Sequence, residues 1–216
     1  MAGVFITGTD TGVGKTYFSA LLVRALREAG VDAVGFKPVC CGERDDAVIL
    51  REAGGDDLDL DTINPVWYRT PVAPAVAAEL EGGPVQASLL GESARDLEVK
   101  HALVVAEGAG GWEVPLNRDE SMSDLARELA WPVLLVVGNR LGALNHTFLT
   151  AAAIKAAGLP LAGVVINHLV EERDVAMVSN ESVLRGRLDI PNWISLMPGQ
   201  DWLEPDFVEG IRGILL

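Results

Sequence analysis

The sequence predicts an α/β fold, one domain built on an open, mostly parallel sheet flanked by helices. Short, unbroken Val/Leu/Ile runs alternate with amphipathic segments, the pattern of strands covered on both faces. A glycine-rich turn joins the first apolar run to the first amphipathic segment. Nearly all polar and glycine clusters follow apolar runs, and open sheets of this class bind ligands beyond the carboxyl ends of their strands.

In chain order, strands are expected over residues 4–7, 33–36, 102–106, 133–137, 161–166 and 193–196. Helices are expected over residues 15–29, 45–53, 87–99, 123–130, 146–157 and 174–188, with Gly30 and Gly158 where helix C-caps belong. Residues 54–74 are acidic and carry three prolines, and they read as a long, partly ordered excursion. No internal repeat or low-complexity tract interrupts the chain, so residues 1–216 are read as a single domain.

Bulk properties narrow the function classes. A hydrophobic content of 49% suffices for a large core, and single domains of this kind reach ~200–250 residues. The net charge of −14 argues against a nucleic-acid partner, which needs a concentrated basic surface. The only two cysteines, Cys40 and Cys41, are adjacent and poorly placed to bridge, so reduced thiols and a cytoplasmic location are expected. No apolar leader precedes the first strand and no run is long enough to span a bilayer, so neither export nor membrane insertion is expected.

The sharpest motif is Gly8-Thr9-Asp10-Thr11-Gly12-Val13-Gly14-Lys15-Thr16. Its glycines let backbone N–H groups turn inward as an anion nest, and the following helix N-terminus adds partial positive charge. Lys15 would reach the β- and γ-phosphates of a nucleotide, and the Thr16 hydroxyl would ligate Mg²⁺. The strict spacing asks for glycine at position 9, where Thr9 stands, with Gly8 one place early. The Gly-Lys-Thr end and the strand–turn–helix context are intact, so a variant P-loop is expected over a glycine-rich turn with an incidental lysine, and with it a fold of the P-loop nucleotide-hydrolase type.

Two acids could complete a metal site. Glu107 directly follows the strand expected at 102–106 and opens Glu-Gly-Ala-Gly-Gly (107–111), where P-loop proteins keep a metal-side carboxylate. Asp46 starts a helix after the second strand and could equally be a helix-capping or solvated acid. Lys37 closes that strand; it could offset charge on a transferring phosphoryl group or be an ordinary surface lysine.

Asn139-Arg140-Leu141-Gly142 resembles a guanine-reading motif, but Gly142 stands where a carboxylate must accept from the base. Asn167, after the strand at 161–166, could pair with the N6 donor and N7 acceptor of adenine or simply satisfy a turn. Together these favour ATP.

The P-loop, Lys37-Pro38-Val39, the run from Glu107 to Trp112, the run from Leu141 to His146, and Ala162-Gly163 with Asn167 resemble dethiobiotin synthetases, in family order from the N-terminus to Asn167. Beyond Asn167 the likeness rests on Met197-Pro198. The resemblance implies a Mg-ATP-dependent cyclo-ligase that converts 7,8-diaminopelargonate and CO₂ (or bicarbonate) to dethiobiotin, ADP and phosphate. It implies catalytic roles for Lys15 and Lys37, and Mg²⁺ held by Thr16, Asp46 and Glu107. ATP would be bound by Gly12, Val13, Gly14, Lys15, Thr16, Tyr17, Asp46, Glu107, Gly108, Ala109, Gly110, Asn167, Pro198 and Gly199.

Substrate would meet Thr11, Lys37, Cys41 and Gly111, with Gly142 and Asn145 reaching it across a homodimer. Read locally, Asn145 is instead the N-cap of the helix at 146–157. The sequence departs from the family at Cys41, where a serine is usual, and in a short stretch between Gly42 and Asp45. Trp112 reads as a cleft wall or as core. Two other classes compete. One is an amide ligase on the same core, which would need a glutaminase domain that 216 residues are not expected to supply. The other is a partition or metal-insertion switch ATPase, which would carry a second loop lysine or exposed metal ligands, whereas Asp10 and Thr11 occupy the loop.

Overall fold

The computed structural model of the chain describes residues 3–215. In order, the elements are β1 (Gly3–Gly8), α1 (Lys15–Glu28), β2 (Ala33–Phe36), β3 (Val39–Cys41), α2 (Asp45–Ala53), α3 (Leu60–Ile63), β4 (Val66–Tyr68), α4 (Pro74–Glu81), α5 (Ala87–Lys100), β5 (Leu103–Glu107), α6 (Met122–Leu129), β6 (Val133–Gly138), α7 (Ala143–Ala156), β7 (Leu161–Asn167), α8 (Val175–Arg185), β8 (Asn192–Leu196) and α9 (Pro205–Leu215). Six strands form one sheet in the order β2-β5-β1-β6-β7-β8, and every pairing in it is parallel. All six strands expected from the sequence are present.

The sheet is apolar because helices cover both faces. On one side Phe5, Val104 and Ala106 pack with Leu90, Leu97 and Leu125 of α5 and α6. On the other, Val4, Ile6 and Val105 pack with Phe18, Leu22 and Leu26 of α1. Helix α6 starts with a capping box between Ser121 and Asp124, which satisfies otherwise orphaned N–H groups reciprocally. Gly30 (φ 81°) and Gly158 (φ 77°) adopt the left-handed conformation just past α1 and α7, as helix-ending glycines do.

The excursion expected at residues 54–74 is more ordered than its composition suggests. It contains α3 and β4, and β4 pairs in parallel with β3 to make a separate two-stranded sheet. Three-residue strands and a one-turn helix are too short to show periodicity, so the sequence hides them. Helix α4, starting at Pro74, and α9 were also not anticipated. For α9 a signal existed: Phe207, Val208, Ile211 and Leu215 form a buried helical stripe, and Phe207 meets Phe18 edge-on with centroids 6.1 Å apart. Helix α7 begins at Ala143, with Gly142 (φ 93°) as its N-cap. Asn145 therefore lies within the first turn and is not the cap.

Packing at the amino-terminal end of the central strand β1 yields a test. A Cβ on Gly3 would come within 2.3 Å of the buried Trp131 ring, and neither a paired strand nor that ring can retreat cheaply. Gly3→Ala should lower stability by about 1–3 kcal/mol, measured by urea denaturation, with the site chemistry at the far end of β1 intact.

Candidate functional site

The strand carboxyl ends assemble the site. The loop after β1 turns on Gly12 (φ 72°) and Gly14 (φ 92°), conformations that a side chain would strain. At Gly14 a Cβ would also strike the Asn167 amide at 2.1 Å. Gly8 does the work expected of a glycine one place later, because a Cβ there would lie 2.7 Å from Val13. The variant spacing thus keeps the close approach that the loop needs. Lys15 caps the nest with its Nζ donating to the Asp10 carbonyl at 3.1 Å, and it is buried. Burial and the neighbouring Lys37 lower its pKa to about 8, against the pull of Glu107, Asp46 and Asp10.

Beside the loop lies a compact ionic cluster. Lys37 Nζ donates to Glu107 Oε1 at 2.5 Å and to Asp46 Oδ2 at 2.7 Å. The Thr16 hydroxyl lies 2.8 Å from both Asp46 Oδ1 and Glu107 Oε1. Lys37 is 3% exposed and Glu107 fully buried, so the surface-lysine reading of Lys37 is wrong. Burial works against the Lys37 charge, yet Glu107 and Asp46 together hold its pKa above the ordinary value. Burial likewise opposes ionisation of Asp46, and Lys37 outweighs it to keep that carboxyl below its usual range. Asp46 caps nothing: Arg44 is the N-cap of α2, without a side-chain bond.

The donor set fits a hard divalent cation. It offers a hydroxyl and two carboxylates, all oxygen, and Glu107 Oε2 is buried with no hydrogen-bond partner. Among the described residues no three His, Cys, Asp or Glu side chains form a self-sufficient metal site. A cation here would therefore complete its coordination with phosphate and water, as P-loop metals do.

A cavity of about 450 Å³ opens beside this cluster, lined by Thr11, Lys37, Cys41, Asp46, Ala109 and Gly110 among the expected residues. Val39, Cys40, Glu43, Val114 and the segment Pro71, Val72, Ala73 and Pro74 complete it. Sequence reasoning missed these, since nothing in a proline-rich run announces a binding wall. Burial pushes the Cys40 and Cys41 thiols up to about 11, so both face the cavity uncharged. Gly111 lines a neighbouring cavity of about 420 Å³ together with Trp112 and Leu149. Trp112 is mostly core, 4% exposed and edge-on to Phe5, with only its rim on that second cavity.

Other expected residues lie further out. Asn167 is buried and its amide donates to the Val13 carbonyl at 2.9 Å, bracing the phosphate loop. The Tyr17 hydroxyl donates to the Gln200 carbonyl, which joins α1 to the turn carrying Pro198 and Gly199. Gly108 donates its N–H to the Ile6 carbonyl at 3.0 Å, which locks the Glu107 loop to β1. Gly142 and Asn145 are solvent-exposed and outside both cavities. Asn139 is a buried structural hub, bonded to the Met177 carbonyl and to Asn180. Among the described residues no helix is long and apolar enough to cross a membrane.

Known proteins resemble the chain over most of its length. A family described as an AAA domain matches residues 2–200. An ATP-dependent dethiobiotin synthetase of Akkermansia muciniphila is 48% identical over 206 residues, covering 95% of this chain and 97% of that protein. One from Anaeromyxobacter dehalogenans is 45% identical, covering 99% and 96%. The chain belongs to the ATP-dependent dethiobiotin synthetase family. Among solved structures, the septum site-determining protein MinD of Pyrococcus horikoshii, complexed with Mg-ADP, superposes with a TM-score of 0.59 at 18% identity, covering 91% of this chain and 82% of that one.

That structural likeness carries the fold alone, so the switch-ATPase reading has no support of its own against membership of the dethiobiotin synthetase family. The family likeness also runs past Asn167, where the motifs of the sequence thin out, to include the turn after β8.

The depressed pKa of Lys15 gives two opposite pH slopes. Its pKa lies near 8 in the folded protein against an ordinary 10.5, so the unfolded chain binds more protons between those values. Stability from this group therefore rises from about pH 8 to 10.5. Phosphate binding favours the charged lysine, so ATP affinity should fall as pH rises through the same window. Calorimetric titration with Mg-ATP from pH 7 to 9.5 checks the second slope, and thermal unfolding of wild type against Lys15→Gln checks the first.

Proposed function

We propose that the chain, acting over residues 1–216 as one unit, is a Mg-ATP-dependent cyclo-ligase that makes dethiobiotin from 7,8-diaminopelargonate and CO₂. The observation that carries this reading is the buried Lys37, held between Asp46 and Glu107 beside Thr16 and open to the cavity. A synthetase that joins two groups of its own substrate needs no protein nucleophile. It needs a phosphate cradle, a metal-side carboxylate pair and a cation aimed at the developing charge.

In this reading one amine of the diamine adds to CO₂ and loses a proton, giving a carbamate. A carbamate oxygen attacks the γ-phosphorus of ATP and ADP leaves. The second amine then attacks the carbonyl carbon of the resulting anhydride, the C–O bond to phosphate breaks, and the amine's proton departs as the five-membered urea closes. Lys15 and the loop N–H groups hold the phosphates, and Lys37 turns from its carboxylate partners towards the carbamate and the transferring phosphoryl group. Thr16, Asp46 and Glu107 would hold Mg²⁺, which neutralises phosphate charge when bound. Thr11 and Cys41 face the diamine; a thiol donates more weakly than the usual serine hydroxyl. Tyr17, Asn167, Pro198 and Gly199 flank the base side of the nucleotide.

A homodimer, in which exposed Gly142 and Asn145 reach the partner's substrate, and a cytoplasmic location belong to the same proposal. Support for the first is the exposed apolar face of α7, with Leu149 63% exposed and Leu141 just before it 81% exposed.

Phosphate release with Mg-ATP and bicarbonate should depend on added 7,8-diaminopelargonate, with dethiobiotin appearing by mass spectrometry. Diamine-independent hydrolysis would overturn the reading. Lys15→Gln should abolish turnover, and Lys37→Gln should reduce it by about 10²–10³. The latter leaves Glu107 buried without its cation. Its melting temperature should therefore drop and should recover more than that of the wild type when MgCl₂ and ADP are added.

A further inference from the structure

Beyond the residues that handle phosphate, the cavity beside Lys37 carries one charge that nothing else uses. Three charged side chains line it: Lys37, Asp46 and Glu43. Lys37 is bound to Asp46 and Glu107 at 2.7 and 2.5 Å, so each of these three side chains already has an ionic partner. Glu43 is exposed and has no hydrogen bond or ion pair with any described residue. The adjacent Arg44 does not neutralise it. Its guanidinium turns away, donating to Asn64 Oδ1 at 2.8 Å and to Asp61 Oδ1 at 2.7 Å. The rest of the wall is uncharged, with Cys40 and Cys41 as thiols among Val39, Pro71, Val72 and Val114.

From this arrangement we infer that Glu43 is a specificity-determining residue that receives the ammonium group of the diamine and orients it amine-first in the cavity. The inference rests on the diamine-ligase reading above. Two adjacent amines cannot both stay protonated comfortably near neutral pH, because the first charge disfavours the second. The substrate thus arrives with one ammonium and one neutral amine. A carboxylate on an otherwise apolar wall offsets the desolvation of the ammonium. The neutral amine is then left towards Lys37, where a carbamate must form. No unpaired cation lines this cavity, so a substrate carboxylate finds no partner there and is repelled by Glu43. The acid end is therefore directed outwards.

The test is steady-state kinetics with purified full-length protein at saturating Mg-ATP and bicarbonate, varying 7,8-diaminopelargonate and following dethiobiotin. If wild type forms none, it is the ligase reading that fails, and Glu43 loses its substrate with it. With wild type active, Glu43→Gln should raise KM for the diamine roughly three- to tenfold, leaving kcat, KM for ATP and melting temperature unchanged. Glu43→Asp should recover most of the loss. Asp45→Asn makes the same change of charge two residues away, on an exposed side chain outside the cavity, and should leave the diamine KM unmoved. An unchanged KM in Glu43→Gln, or an equal rise in Asp45→Asn, would overturn the assignment.

Discussion

The structure is organised around one expensive arrangement: a lysine and a glutamate buried side by side at the carboxyl end of a parallel sheet. Lys37 is 3% exposed and Glu107 is fully buried, and unpaired buried charge costs several kcal/mol. Strand register supplies the pairing. Phe36 lies opposite Ala106 where β2 runs beside β5, so the next residue of each strand, Lys37 and Glu107, emerges beside the other. The second residue of α1, Thr16, and the first turn of α2, with Asp46, then complete the cluster. One oxygen of Glu107 still lacks a partner. The cluster thus carries negative charge beyond what its own lysine offsets, which leaves it able to accept a further cation.

Close backbone approach is the second requirement, and glycine meets it where the loops converge. A Cβ on Gly110 would lie 2.7 Å from Val114 and 3.4 Å from the Thr11 hydroxyl, so this glycine lets the Glu107 loop lie against the phosphate loop. Asn167 performs the matching task from β7, its amide bonded to Val13 and in contact with the face of Gly14. Whatever it does for a base, it is part of the scaffold that keeps the anion nest in shape.

The sequence revealed the charge apparatus far better than the cavity. Lys15, Thr16, Asp46 and Glu107 could be named because each follows a strand or opens a helix, and apolar runs disclose those boundaries. Lys37 was ambiguous on the same evidence, since burial of a strand-end residue depends on which strand lies next to it, and β2 borders β5, far away in sequence. The wall from Pro71 to Pro74 was illegible. It hangs from a two-stranded sheet of three-residue strands, whose pairing joins segments too short to carry a pattern. Helix α9 is a different case, because its apolar stripe was present but unread.

This division follows from what each part must do. Phosphoryl transfer depends on donors and cations held to a fraction of an ångström, and only paired strands with their flanking helix starts offer that rigidity. Recognition of a short alkyl chain with two amines asks for less: an apolar surface of suitable shape and a counter-charge. The small sheet and the turn into α2 suffice for this, with Gly42 so close to the proline wall that a Cβ on it would lie 2.9 Å from Pro71 and Trp67 donating to the Gly42 carbonyl at 2.8 Å. Such a wall can change in length and composition without disturbing the ionic cluster behind it.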